Sequence, residues 1–339
     1  MKSSDIESVK KVPYTVGDDT KGGVLFLYGK PNASNVVICC AGFPDDHSIF
    51  LPFAQRLAKE GDCFVGVMCL PGYDDREEKP WTTHKKGGYT FDEMANTVRN
   101  AVKVLRAEST SEGAKLIGIF HDWGVVGGSM WANRSIEEGN QGLKPEKIAY
   151  FDVLPLMPLH QNEKPTPPSE ITFYEHVLTL SYRTILAISF LLQTYVSRFL
   201  AYVFFQLGSG ILFITKLGPL LDIDNPIIAK SMSTKGVQRI IHMAYPYKNF
   251  FQEMSKGDKA FSEVKLPKDL VKTPVLYMYG KEKRVHFHPD KHALKLLERE
   301  EKEGRSKCKV IALKDAGHWL YVQQEDICLE AVKSFIRDD

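Results

Sequence analysis

The chain has 339 residues, 43% of them hydrophobic, enough for one large domain with a sizeable core or for a core with an insertion. With 44 Lys and Arg against 42 Asp and Glu, the net charge is +2, which gives no electrostatic case for a nucleic-acid partner. The opening residues, MKSSDIESVKKV, lack the apolar run of a secretory signal, and Cys39, Cys40, Cys63, Cys69, Cys308 and Cys328 show no zinc spacing, so a reduced, cytoplasmic protein with no metal or other cofactor is expected.

In chain order, Val24–Tyr28 reads as an early strand and Val36–Cys40, an unbroken apolar run, as a buried one. The cysteines in these runs act as small hydrophobes; for the adjacent Cys39 and Cys40, core packing outweighs a redox role. Ala41-Gly42-Phe43-Pro44-Asp45-Asp46-His47 follows. Such a turn can aim backbone N–H groups into a cleft, as an oxyanion hole requires, although alone it is only a turn. The spacing predicts a helix over Ser48–Glu60, a strand over Cys63–Cys69 that ends in Leu70-Pro71-Gly72-Tyr73, and a helix over Phe91–Ala107.

The stretch Lys115–Gly128 carries the strongest signal. The run Leu116–Phe120 reads as a buried strand, stops at His121-Asp122-Trp123-Gly124, and passes into a helix with Gly124, Gly127 and Gly128. A strand, a sharp turn and a helix form a nucleophile elbow, here with Asp122 at the apex. A carboxylate in that place can attack carbon and form an ester that water must cleave. The plainer reading of Asp122 is a helix N-cap.

Lys147–Asp152 repeats a strand running into an acid, which puts Asp152 at a strand's carboxyl end, where open α/β sheets place their chemistry. Pro-rich Leu154–Pro168 breaks the alternation, and the chain from Ile171 to about Phe250 is helical and unusually apolar. Alternation resumes with a strand over Pro274–Gly280, a helix over His292–Glu303 and a strand over Lys309–Leu313. That strand leads to Asp315-Ala316-Gly317-His318-Trp319 and a closing helix over Asp326–Ile336. The expected class is α/β, a mainly parallel sheet wrapped by helices. The expected division is a core over 1–153, an inserted helical cap over 154–250, and the rest of the core over 251–339.

These residues carry a resemblance to the α/β-hydrolases, specifically the branch of epoxide hydrolases and haloalkane dehalogenases. His121-Asp122-Trp123-Gly124 resembles that branch's nucleophile motif, and Ala41-Gly42-Phe43-Pro44 its HGxP oxyanion segment, with Ala41 in place of the usual His. Leu70-Pro71-Gly72-Tyr73 is similar to the loop after the third core strand, and Ala316-Gly317-His318-Trp319 to the catalytic-histidine turn. Tyr247-Lys248-Asn249-Phe250 resembles the cap segment that bears one ring-opening tyrosine of epoxide hydrolases. Many members carry the triad acid in a Gly-x-x-Asp turn, but here Gly280-Lys281-Glu282-Lys283 has Lys283 at that position. Others carry it at the end of the strand after the nucleophile, as Asp152 would be.

The resemblance implies Asp122 as nucleophile, His318 as the base that activates water, and Asp152 as the acid that orients His318, with Glu282 the alternative acid. Backbone N–H groups of Phe43 and Trp123 would hold the oxygen that becomes anionic, and Tyr247 would protonate the leaving oxygen. For His318 the competing reading is a surface turn, and for Asp152 a cap. His47 and His121 read as structural partners, His286 and His288 as an exposed loop, Asp45-Asp46 and Asp74-Asp75 as solvated turns, and Tyr202 as cap packing. A halide site needs two donors; Trp123 can be one, but Phe43 stands where dehalogenases often carry Asn, so epoxide opening is favoured over dehalogenation. No G-x-S-x-G occurs, which disfavours serine esterase chemistry. The departures at Ala41 and Lys283 keep a ligand-binding receptor with slow or absent hydrolysis as the reading of another class.

The expected partner is a lipophilic small-molecule substrate. Phe199–Thr215 approaches the length of a membrane span, but Arg183, Arg198 and Lys216 punctuate the region and Gly208-Ser209-Gly210 breaks it. A pair of cap helices over an apolar pocket explains it better, and a face this apolar would seek peripheral contact with a membrane.

Overall fold

The β-branched runs of the sequence assemble into one eight-stranded sheet. The structure is a computed structural model and describes residues 10–16, 19–73, 85, 87–140, 142–155, 173–214, 234–257, 261–282 and 291–338. The strands are β1 (Lys10–Val16), β2 (Asp19–Tyr28), β3 (Asn35–Cys40), β4 (Cys63–Met68), β5 (Lys115–His121), β6 (Lys147–Phe151), β7 (Val275–Gly280) and β8 (Lys309–Leu313). Their order is β1-β2-β4-β3-β5-β6-β7-β8. The β1–β2 and β2–β4 pairs are antiparallel, and every pair from β4 to β8 is parallel.

Strand β1 was not expected from the sequence. It lies at the sheet's edge and carries Lys10, Lys11 and Pro13, residues that blunt an edge against further pairing and also hide the strand's alternation. The predicted helix over Ser48–Glu60 divides into a 3-10 turn at His47–Phe50 and α1 (Leu51–Glu60), with Pro52 in the first turn of α1. The helix predicted at Phe91 is α2 (Phe91–Glu108), fixed at its start by a Thr90–Glu93 capping box.

Side chains of β3 alternate between the two faces. Val36, Ile38 and Cys40 enter one core, and Val37, Cys39 and Ala41 the other. The first core is closed by α2, by α3 (Gly124–Glu137) and, among the described residues between β6 and β7, by α4 (Phe173–Tyr195), α5 (Arg198–Ile214), α6 (Thr234–Met243) and α7 (Tyr245–Met254). The helix α8 (Lys291–Lys302) adds Ala293 and Leu297 to it. The second core is closed by α1, by the short α9 (Leu320–Gln323) and by α10 (Glu325–Arg337). All six cysteines are buried, and none is paired in a disulfide.

Polar contacts fasten α6 and α7 to the ends of the parallel strands. Arg239 of α6 donates to Asp46 Oδ2 at 2.8 Å, and Asp46 also accepts from Ser48 N–H at 2.7 Å at the start of the 3-10 turn. Tyr245 donates to the Pro71 carbonyl at 2.9 Å, and Tyr73 to the Met243 carbonyl at 2.7 Å. Asp46 is therefore a buried anchor, not the solvated turn residue that the sequence suggests.

Removing the guanidinium would leave this buried carboxylate without its cation. Arg239→Leu is expected to lower unfolding free energy by about 1–3 kcal/mol in urea titrations. A change below about 0.5 kcal/mol would show that the ion pair does not anchor the helices.

Candidate active site

The carboxyl ends of β5, β6 and β8 converge on one place. Asp122 follows β5 and turns the chain into α3 through a backbone φ of 51°, the left-handed region that non-glycine residues avoid at a cost of about 1–3 kcal/mol. The Val125 N–H donates to the Asp122 carbonyl at 2.9 Å and closes the turn. The elbow presses against the turn after β3. A Cβ on Gly42 would lie 2.1 Å from Trp123 N and 2.4 Å from Asp122 Oδ1, and a Cβ on Gly124 would lie 2.4 Å from the Cys40 carbonyl oxygen. Only glycine permits that approach at either position. The approach lets the Phe43 N–H donate to Asp122 Oδ1 at 2.7 Å.

His318 lies in the turn between β8 and α9. Its Nδ1 is 2.6 Å from Asp152 Oδ2, and its Nε2 is 3.6 Å from Asp122 Oδ2, just beyond hydrogen-bond reach. Asp152 is 1% exposed and itself has a φ of 66°. Its backbone is pinned on both sides: its N–H donates to the Met278 carbonyl at 2.7 Å, and Tyr277 donates to its carbonyl at 3.0 Å. The alternative acid, Glu282, is exposed and contributes a backbone N–H to the Ala316 carbonyl at 3.0 Å. The structure thus brings Asp122, Asp152 and His318 together and leaves the Glu282 side chain outside.

Tyr247 stands over this group from α7, edge-on to Phe43 at 5.1 Å and to Trp123 at 5.2 Å between ring centroids. Its hydroxyl is 2.8 Å from that of Tyr182 on α4. Burial pushes both phenols well above their usual pKa, and the charge of Asp122 adds to the effect, so both hold their protons at neutral pH. Tyr182 was missed in the sequence, where it sits inside an apolar helical run. The available signal was the polar pair Tyr182-Arg183 interrupting that run; Arg183 is half-buried against the Phe250 ring, 4.2 Å from its centroid. Tyr202 is half-buried and packs against the apolar core.

Asp45 was a second misreading. It is buried below the site, with Trp319 Nε1 donating to its Oδ2 at 2.7 Å and no partner on Oδ1. His121 Nδ1 is 3.9 Å from Asp45 Oδ2 and 3.3 Å from the Tyr321 hydroxyl, while His121 Nε2 is 3.0 Å from the His318 carbonyl oxygen. His47 stacks on Phe26 at 3.9 Å. Ligating atoms of His121, Asp152 and His318 fall within 4.8 Å of one another, as a metal site would require. The His318–Asp152 contact and the His121–His318 carbonyl contact account for that cluster as a hydrogen-bonded one. Asp74, Asp75, Lys283, His286 and His288 lie outside the described residues.

Burial pushes Asp45 from 3.8 up to about 7, with the charges of Asp122 and Asp46 adding and the Trp319 bond and His318 opposing. Between those values the folded chain keeps a proton that the unfolded chain releases. This residue therefore makes stability fall as pH rises through that window, by about a few kcal/mol in total. Asp45→Asn keeps an acceptor for Trp319 and cannot ionise. Its unfolding free energy should decline less than that of the unsubstituted chain between about pH 4.5 and about pH 7.5. Equal declines would show that Asp45 does not titrate there.

Neither a family model nor a curated protein sequence matches the chain. Solved structures do. An epoxide hydrolase from Vigna radiata is 15% identical, with a TM-score of 0.58 over 98% of this chain and 99% of that one. An epoxide hydrolase from Bacillus megaterium, solved with an inhibitor, is 16% identical, with a TM-score of 0.56 over 97% of this chain and 100% of that one. A thermophilic esterase from Thermogutta terrifontis is 15% identical, with a TM-score of 0.52 over 97% and 98%. The chain has the α/β-hydrolase fold.

Proposed function

We propose that this chain hydrolyses a lipophilic epoxide through a covalent ester on Asp122. The fold alone hosts several chemistries, so the reading rests on the site. The observation that carries it is the pair of phenols, Tyr247 buried and Tyr182 half-buried, with hydroxyls 2.8 Å apart beside the Asp122 turn. An epoxide leaves no departing group. Its oxygen stays on the product as an alkoxide that needs a proton, and a buried, protonated phenol is placed to give one.

In the first step Asp122 Oδ2 attacks a ring carbon, the carbon–oxygen bond opens, and the alkoxide takes a proton from Tyr182 or Tyr247. The Phe43 N–H stays on Oδ1. In the second step a water loses a proton to His318 and attacks the Asp122 carboxyl carbon. Negative charge collects on Oδ1, where the Phe43 donor stabilises it. The bond from that carbon to Oδ2 then breaks, Oδ2 takes the proton held by His318 and leaves in the diol, and the water's second proton passes from the new carboxyl group to the phenolate, which restores both residues. Asp152 orients the imidazole and stabilises its protonated form through the 2.6 Å contact. The helices α4–α7 serve as the cap that keeps this chemistry away from bulk water.

A haloalkane would need two donors for its halide. Phe43 offers no side-chain donor where Asn would supply one, and the two phenols would have no part in that reaction.

Tyr182→Phe and Tyr247→Phe each remove one hydroxyl and keep the ring. Each is expected to slow single-turnover opening of a lipophilic epoxide by about a hundredfold, and the double variant by more. Haloalkane turnover, if present, should change little. Epoxide opening at the unsubstituted rate in the double variant would remove the support for this substrate class.

A further inference from the structure

The helices α4 and α5 are apolar on the side that faces water. On α4, Val177, Leu180, Ile188, Leu191 and Tyr195 recur at steps of three, four or eight residues, which is one helical stripe, and all are at least 36% exposed. The opposite face of α4 points Tyr182 at Tyr247 and buries Leu186 and Phe190. The turn into α5 exposes Val196 and Phe199, the latter at 72%, and α5 continues the patch with Leu200 and Leu207. Nine of the thirteen large exposed hydrophobics among the described residues therefore lie within 177–207, on one helical hairpin. A patch so concentrated marks a surface that another phase or partner covers.

Its charge says which. From 176 to 214 the sequence contains no Asp or Glu and two Arg. Arg183 is half-buried against Phe250, and Arg198 is exposed at the hairpin turn between Tyr195 and Phe199. An exposed apolar hairpin without Asp or Glu over 176–214, with a cation and a tyrosine at its turn, matches the interface of an anionic bilayer, where aromatic rings and Arg sit at the level of the headgroups. No described helix is long and apolar enough to cross a membrane, so the hairpin would lie in the interface.

We propose that the α4–α5 hairpin docks this protein on the surface of an anionic lipid bilayer. The proposal stands apart from the reaction assigned to Asp122 and needs no turnover to test.

The test is co-sedimentation of the full chain with vesicles of phosphatidylcholine alone and of phosphatidylcholine with phosphatidylserine. Binding is expected to the mixed vesicles, and to weaken as salt is raised. Phe199→Glu combined with Leu207→Glu should lower the partition coefficient by at least about tenfold. Arg198→Glu should remove most of the preference for phosphatidylserine. Circular dichroism and the thermal midpoint of each variant report that the fold is kept. Failure of the unsubstituted chain to sediment with either vesicle would overturn the proposal. So would a homodimer in analytical ultracentrifugation that the Phe199/Leu207 double variant dissociates, because a second copy would then cover the face.

Discussion

The backbone at Asp122 is held in a conformation that its side chain disfavours, and the surrounding structure is arranged to hold it there. The φ of 51° is stabilised by the Val125–Asp122 hydrogen bond behind it and by the Phe43 N–H on Oδ1 in front. Both depend on the elbow and the turn after β3 touching, which Gly42 and Gly124 allow because neither has a Cβ. The neighbouring strands β3 and β5 are parallel and in register from Asn35–Lys115 to Cys40–Phe120, so their carboxyl ends deliver the two turns side by side. Strand β6, parallel to β5 on its other edge, delivers Asp152 at the same level, also at a positive φ. Strain at two acids is thus concentrated where the proposed chemistry needs carboxylates fixed in direction.

The helices α4–α7 answer a second constraint. Their inner surface meets a site that contains ionisable groups, and it brings the phenols of Tyr182 and Tyr247 to it. Arg239, Tyr245 and Tyr73 link these helices to the strand ends through polar contacts. Lys248 and Asn249 extend the same attachment to the carbonyls of Gly87 and Tyr89. The helices α4 and α5 bury Leu186, Phe190, Ala201 and Phe205 and carry apolar side chains outward as well, so they lack the polar outer face usual for a surface helix.

Features set by local pattern could be read from the sequence. The strand over Leu116–Phe120, the sharp stop at Asp122 and the small residues after it depend on neighbours in the chain, and the structure places the elbow where they predict. Asp152 and Glu282 remained alternatives because each follows a strand; which strand end faces His318 is decided by sheet order, a non-local property. Tyr182 and Tyr247 are 65 residues apart, and their pairing arises only when α4 packs on α7. Asp45 and Asp46 resemble solvated turn residues because nothing nearby in the chain reveals Trp319 or Arg239. Strand β1 was hidden by the lysines and proline that suit it to an edge.

The central claim is that Asp122 forms a bond to carbon, and the origin of the product oxygen tests it most directly. A single turnover of a lipophilic epoxide in oxygen-18 water, with enzyme in excess, is the measurement. The account predicts a diol without solvent label, because its new oxygen comes from Asp122 Oδ2. In His318→Gln the ester should accumulate, raising the intact protein mass by that of the substrate, with the adduct on the Asp122 peptide. Oxygen-18 in the diol on the first turnover, with no adduct on Asp122, would contradict the account.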